Sequence, residues 1–190
     1  METEGGHSYG CFGKRNAIQC LASIIEALYA IPVPEKPGTK TTYNVGVISG
    51  GTSVNTIAQQ AQMLFEFRSD DEECLARMEQ AFSAVIAAHR SGDARVAVRL
   101  LGERPCGHIS SEKLHPLEDK VARCIRETLH EQPEFRSAST DANYPLSKGI
   151  PAVCMGSVEG YGCHTRQEYL LLSELQPAVR MVMDVMSTYF

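Results

Sequence analysis

The stretch Ile57-Ala58-Gln59-Gln60-Ala61-Gln62-Met63-Leu64-Phe65-Glu66-Phe67-Arg68 decides how this chain is read. Ile57, Ala61, Met63, Phe65 and Phe67 fall on one parity, and Gln60, Gln62, Glu66 and Arg68 on the other, with Leu64 the exception. Side chains alternate across a strand, so this period of two predicts a strand near 57–68 that packs one face on helices and shows a polar face. Arg68 stands on the polar face at the strand's end.

Upstream, residues 42–48 also alternate, with Tyr43, Val45 and Val47 on one face, and lead into the turn Ser49-Gly50-Gly51-Thr52. Before them, residues 15–30 place Ile18, Leu21, Ile25 and Leu28 at helical spacing, and Pro32, Pro34 and Pro37 stop that helix. Downstream, Ser69 with Glu72 forms a capping-box pattern before a helix to about 89, with Leu75, Met78, Phe82 and Val85 inward. A last strand is expected near 95–101, where Val96, Val98 and Leu100 alternate with Arg95 and Arg99. The order is α-β-β-α-β, and one strand added in front gives the βαββαβ unit of a ferredoxin-like sandwich.

Residues 103–112 read as a linker, beyond which the pattern changes. Pro116 is expected to open a helix to about 131 carrying Leu117, Val121, Cys124, Ile125 and Leu129. Short strands are expected at 134–138 and 151–155, and Ser173 is expected to cap a final helix with Val179, Val182, Met183 and Met186. Such a set cannot easily bury itself alone, which points to a piece of a larger α/β layer structure.

The composition bounds the partners. A chain of 190 residues with 43% hydrophobic residues and a net charge of −5 gives no reason to expect nucleic acid. No apolar run is long enough to cross a bilayer, and the start lacks the grammar of a signal peptide. Seven scattered cysteines without a C-x-x-C pair argue for free thiols and a cytoplasmic location.

Three segments carry candidate chemistry: Gly5-Gly6-His7-Ser8; Gly50-Gly51-Thr52-Ser53-Val54-Asn55 followed by Arg68; and Ser139-Thr140-Asp141-Ala142-Asn143 with Gly149-Ile150-Pro151 and Gly162-Cys163-His164-Thr165. Taken singly each has a plain reading. Arg68 could be a strand-end cation, Asn55 a turn residue tolerant of left-handed geometry, and Asp141 a turn cap. His89, His108, His115 and His130 read as surface or linker residues.

In this order the segments resemble the co-catalytic zinc peptidase family of aminoacylase, carboxypeptidase G, acetylornithine deacetylase, succinyl-diaminopimelate desuccinylase and peptidase T. That family interrupts an α/β catalytic domain with a dimerisation, or lid, domain. The lid opens with a Gly-Gly-His-Ser-like turn and an Asn-Ala-Ile helix start, matched by Asn16-Ala17-Ile18. It continues with Gly-Gly-Thr-x-x-Asn and a strand ending in Arg. The catalytic domain resumes with Thr-Asp-Ala, Gly-Ile-Pro and Gly-x-His-Thr-x-x-Glu, here reaching Glu168.

The resemblance implies an α+β ferredoxin-like lid over 1–102 that lacks its first strand. Residues 103–190 would be the C-terminal segment of an α/β zinc-peptidase catalytic domain. It implies an amidohydrolase, either an exopeptidase or an N-acyl-amino-acid deacylase, that cleaves an amide beside a substrate carboxylate and forms a homodimer through the lid. Arg68 would hold the carboxylate, Asn55 the substrate backbone, and Thr140 and Asp141 would orient substrate. His7 would reach across the dimer to steady the carbonyl oxygen. His164 would be a zinc ligand. The family uses two zinc ions per complete site, and its other ligands and general base precede the lid. This chain shows none of them, so it is expected neither to bind zinc stoichiometrically nor to hydrolyse substrate alone. A non-enzymatic dimerisation or small-carboxylate-binding module is the alternative.

Overall fold

The computed structural model describes residues 1–90, 92–107 and 109–187. His108, read above as a linker residue, lies outside them. The chain divides into two compact units, Met1–Gly102 and Glu103–Phe190.

In the first unit, β1 is Gly6–His7, α1 Ala17–Tyr29, β2 Thr41–Gly50, β3 Thr56–Ile57, β4 Ala61–Ser69 and α2 Glu72–Ala88. The strand expected at 57–68 is thus two pieces, because its pairing partner changes. β3 pairs with β1, and β4 pairs antiparallel with β2. The helices cover one face of this hairpin. Ile24, Leu28, Ile31, Met78 and Ile86 form the buried core, with Met63, Phe65 and Phe67 packed on it. Phe65 stacks on Phe82 of α2 at 5.5 Å between centroids. The α1 stripe is turned slightly from the expected one: Ala17, Leu21, Ile24 and Leu28 are buried, whereas Ile18 is exposed.

The Leu64 exception has a structural cause. The β2–β4 register shifts between Val45 and Val47, so Val47 lies opposite Leu64 and Ile48 opposite Met63. An extra residue in one strand inverts its alternation from that point on. Val47 therefore leaves the face it shares with Tyr43, and it pairs with Leu64 on the exposed side, about half-exposed each at 50% and 49%.

Two further expectations are corrected. The α2 cap is Asp71, whose side chain accepts from Cys74 N, while the Ser69 hydroxyl accepts from Asp71 N. Residues 96–101 form no ladder; only Arg95 is bridged, to Glu2. Met1–Thr3 run beside residues 59–61. Glu2 lies opposite both Gln60 and Arg95, and Met1 exchanges hydrogen bonds with Ala61 at 3.0 and 3.1 Å. In this unit the ladders among the described residues are therefore β1–β3 and β2–β4, joined by the bridges of Glu2 to Gln60 and Arg95.

Asp71 also carries charge chemistry. Lys36 donates to it at 2.6 Å and the Cys74 N–H at 3.0 Å, and together they hold its carboxyl down to about 2. A carboxyl depressed on folding adds stability above its ordinary value near 4, and that stability is lost as pH falls toward 2. Asp71→Asn keeps a good cap but removes the charge. Its urea midpoint should fall less than that of the wild type between pH 6 and pH 2.5. Parallel curves for the two proteins would sink the assignment.

In the second unit, α3 is Ser111–Leu129, α4 Asn143–Ser147, β5 Gly160–Tyr161, β6 Tyr169–Leu170 and α5 Leu175–Ser187, preceded by a 3-10 turn at Leu172–Glu174. α3 begins before Pro116, which lies inside it, so the proline does not open the helix. Ser173 falls within the 3-10 turn rather than capping α5. α3 packs on α5 through Val121, Ala122 and Cys124 and through Ala178 and Met181, while Val179, Met183 and Met186 are exposed. The strands expected at 134–138 and 151–155 are absent from the described residues, which offer no neighbouring strand for them to pair with. No described helix is long and apolar enough to cross a membrane.

Candidate functional site

The first unit brings two of the candidate residues together at one end of its strands. The pairing of Met1–His7 with residues 56–61 steps by one residue between Thr3, which bonds to Gln59, and Gly6, which lies opposite Ile57. The extra residue is accommodated near Gly5, whose φ of +73° suits glycine in a bulge. Gly6 cannot carry a side chain either, because a Cβ there would stand 2.9 Å from both Cβ and Sγ of Cys11. The Gly-Gly pair thus turns His7 beside Thr56, and Ser8 N donates to Asn55 O at 2.9 Å.

His7 is exposed, and its Nδ1 accepts from the backbone N–H groups of Tyr9 and Gly10 at 3.3 and 3.4 Å. A neutral ring held in this way keeps its hydrogen on Nε2, facing outward as a donor. Asn55 is exposed, and its Oδ1 accepts from the Ser53 hydroxyl at 2.8 Å. Its backbone is not left-handed, so the tolerance proposed from its residue type is not used. Both groups present donors to solvent from a braced turn.

Arg68 lies elsewhere. It stands opposite Thr42 at the far end of β4, exposed, and donates to Glu66 Oε2 at 2.6 and 3.1 Å. At ~3.3 Å per residue, β4 from Ala61 to Arg68 alone spans about 23 Å, and Asn55 and Thr56 lie beyond its Ala61 end. One copy of this unit cannot close all three side chains on a small molecule.

In the second unit, β5 and β6 form a hairpin whose loop holds His164. The loop is tied by Thr165, which donates through its N–H and its hydroxyl to Gly162 O at 3.0 and 2.7 Å. His164 has a φ of +65°, and its N–H donates to Glu168 Oε2 at 3.1 Å. The other left-handed residue that is not glycine, His130, ends α3 and is explained by that cap. His164 is the third residue of the turn closed by the Thr165 N–H on Gly162 O, a position where positive φ is usual.

Thr140 and Asp141 border an open recess of about 490 Å3, also lined by Pro145 and Cys154. The Thr140 N–H donates to Asn143 Oδ1 at 2.8 Å, and Asp141 takes an ion pair from Arg104 at 3.3 Å. Asn143 belongs to the same segment, whereas Arg104 is a neighbour that the sequence pattern does not indicate. Arg104 sits 37 positions from Asp141 in a stretch read as a linker, and no spacing rule links them.

Residues 5–94 match the peptidase dimerisation domain. The match covers 90 of the chain's 190 residues. Nothing among the curated proteins matches it significantly. Several solved structures do. A tripeptidase from Staphylococcus aureus aligns at 22% identity and a TM-score of 0.65, over 98% of this chain and 49% of that one. Aminopeptidase PepT from Bacillus cereus aligns at 23% and 0.59, over 97% and 48%. The aminobenzoyl-glutamate utilization protein from Klebsiella pneumoniae aligns at 21% and 0.60, over 97% and 45%. At these identities the likeness is one of fold, and the chain spans about half the length of each structure.

Proposed function

We propose that this chain supplies the substrate grip of a zinc-dependent amidohydrolase, an exopeptidase or N-acyl-amino-acid deacylase acting beside a substrate carboxylate. It works as a homodimer through a ferredoxin-like lid spanning residues 1–102, and residues 103–190 are the closing segment of the catalytic domain. The observation that carries this reading is that His7 and Asn55 are braced together at one end of the strands while Arg68 stands at the far end of β4. A grip that uses all three needs His7 and Asn55 from one copy and Arg68 from another. His7 Nε2–H then donates to the carbonyl oxygen as charge develops, Asn55 bonds the substrate backbone, and Arg68 exchanges Glu66 for the substrate carboxylate. Thr140 and Asp141 orient substrate at their own recess.

His164 is the residue assigned to metal, and the residues around it do not complete a site. No group of three His, Cys, Asp or Glu side chains is placed to hold an ion among the described residues. A catalytic zinc takes three protein ligands, so no step through zinc is assigned to this chain, and by itself it hydrolyses nothing.

The same lack of a ligand set favours a second reading, a dimerisation or small-carboxylate-binding module. Both readings share a test. Sedimentation should show a dimer, and N-acetylglycine, followed by NMR at the Arg68 side chain, should bind saturably. Arg68→Ala should weaken that binding tenfold or more, since a charge-assisted pair contributes ~1.5–3 kcal/mol. A monomer, or undiminished binding by the variant, would remove the composite grip. Turnover of the acyl amino acid with stoichiometric zinc would overturn the claim that the chain alone is inactive, and turnover restored only by added catalytic-domain residues separates enzyme from module.

A further inference from the structure

Arg68 donates from both Nε and Nη2 to a single oxygen, Glu66 Oε2, at 3.1 and 2.6 Å. Arg68 Nη1 and Glu66 Oε1 make no hydrogen bond among the described residues, and both side chains are exposed. The two residues stand two apart on one strand, so their side chains leave the same face of β4. Asn44 lies opposite Glu66 and Thr42 opposite Arg68, and both are exposed and uncharged.

Toward Gly50, the next exposed pair of the hairpin is Leu64 with Val47, which is apolar. Beyond Arg68, the Asp70 carboxylate accepts from the Lys40 N–H at 3.3 Å. Glu66 is therefore the acid that a carboxylate entering at Arg68 has to displace. A ligand that brings only an anion leaves two carboxylates crowded beside one guanidinium. A ligand that also carries a cation close to its carboxylate satisfies both side chains, its anion on Arg68 and its cation on Glu66.

We infer that Glu66 selects what Arg68 holds, and that the pair takes an α-amino acid, carboxylate on Arg68 and nitrogen on Glu66. This rests on the substrate role proposed above for Arg68 and narrows it. When water adds across the amide C–N bond of an N-acyl-α-amino acid, the acyl group leaves as a carboxylate. The nitrogen leaves as an ammonium on the same carbon that bears the substrate carboxylate. The two charges of the freed amino acid are one carbon apart, close enough to bridge side-chain ends that already touch. Before cleavage that nitrogen is a neutral amide, whose single N–H is the weaker donor to Glu66. An amide remote from the carboxylate, as at the amino end of a longer peptide, leaves Glu66 without a partner. The substrate class is therefore an N-acyl-α-amino acid or a peptide cut before its last residue.

The probes are glycine, N-acetylglycine and 6-aminohexanoate, titrated into the full 190-residue chain and followed by NMR at the Arg68 Nε–H. Glycine should bind about threefold more tightly than N-acetylglycine, the scale of an exposed ion pair. 6-Aminohexanoate carries the same two charges too far apart and should bind no better than N-acetylglycine. Glu66→Gln, an exposed change of nearly the same shape, should tighten N-acetylglycine about threefold and remove the advantage of glycine. Equal binding of glycine and N-acetylglycine by the wild type, both still lost in Arg68→Ala, overturns the role of Glu66 and leaves the Arg68 grip standing. Glycine no tighter than 6-aminohexanoate overturns it as well, since net charge and not the paired geometry would then decide. Failure of all three ligands to bind either the wild type or Glu66→Gln, with both shown folded by circular dichroism, removes the grip and the selection together.

Discussion

Ile24→Ala is expected to destabilise the dimerisation domain by about 3 kcal/mol, within the ~2–5 kcal/mol range for truncating a buried aliphatic side chain. Ile24 is fully buried at the centre of the cluster that joins α1 to Met78 and Ile86 of α2, over Phe65 and Phe67 of β4. Nothing nearby is free to close the hole, because α1 is held at both ends. Ala17 N donates to Ala58 O at 2.8 Å, and the Tyr43 hydroxyl donates to Tyr29 O at 3.1 Å. Domains of this size have only about 5–15 kcal/mol in hand, so the variant should show a urea midpoint lowered by roughly a fifth to three fifths with an unchanged slope. A midpoint within experimental error of the wild type would mean that α1 does not pack as described.

Gly50→Ala is expected to cost about 3 kcal/mol and to loosen the substrate grip as well. A Cβ at Gly50 would lie 2.7 Å from Ala61 Cβ and 2.9 Å from both Ala61 Cα and Gln60 O. Two of these atoms are backbone and cannot swing aside, so the end of the β2–β4 hairpin must open. That end launches residues 51–57, which hold Asn55 against Ser8 and Thr56 beside His7. Acyl-amino-acid binding should therefore weaken at temperatures where the variant is still folded. Gly46→Ala is the control. It lies on the same strand, where the nearest atom to a new Cβ is Asn44 Nδ2 at 3.6 Å, and it should change stability by less than ~0.5 kcal/mol. Equal effects for the two glycines would rule out the steric account.

The helices and the β2–β4 hairpin were legible in the sequence because each is a local pattern with its own period. Val45 to Val47 shows the limit. A bulge depends on what the partner strand offers, so Val47 reads as a core residue in sequence and is paired on the exposed face with Leu64. Pro116 shows another limit: its fixed φ suits a helix start, yet α3 begins earlier at Ser111. Asp71 displaced the Ser69–Glu72 box because α2 begins at Glu72, which puts the Asp71 carboxylate within reach of the Cys74 N–H. In the second unit, the short segments at 134–138 and 151–155 have apolar residues but no described neighbour, and a strand is defined by its partner.

The candidate site divides the same way. Gly5-Gly6-His7 and Asn55 were readable from order and spacing, while their contact exists only because β1 pairs with β3. Arg68 was readable as a strand-end cation on a polar face. The sequence by itself determined α1, α2 and the β2–β4 pair, and it carries the dimerisation-domain match over residues 5–94, because these follow from periodicity and motif order. Only the tertiary structure decided that His7 and Asn55 share one end of the strands, with Arg68 at the other. Those facts rest on backbone pairing between distant segments, and hydrogen-bond partners across such distances leave no trace in local pattern.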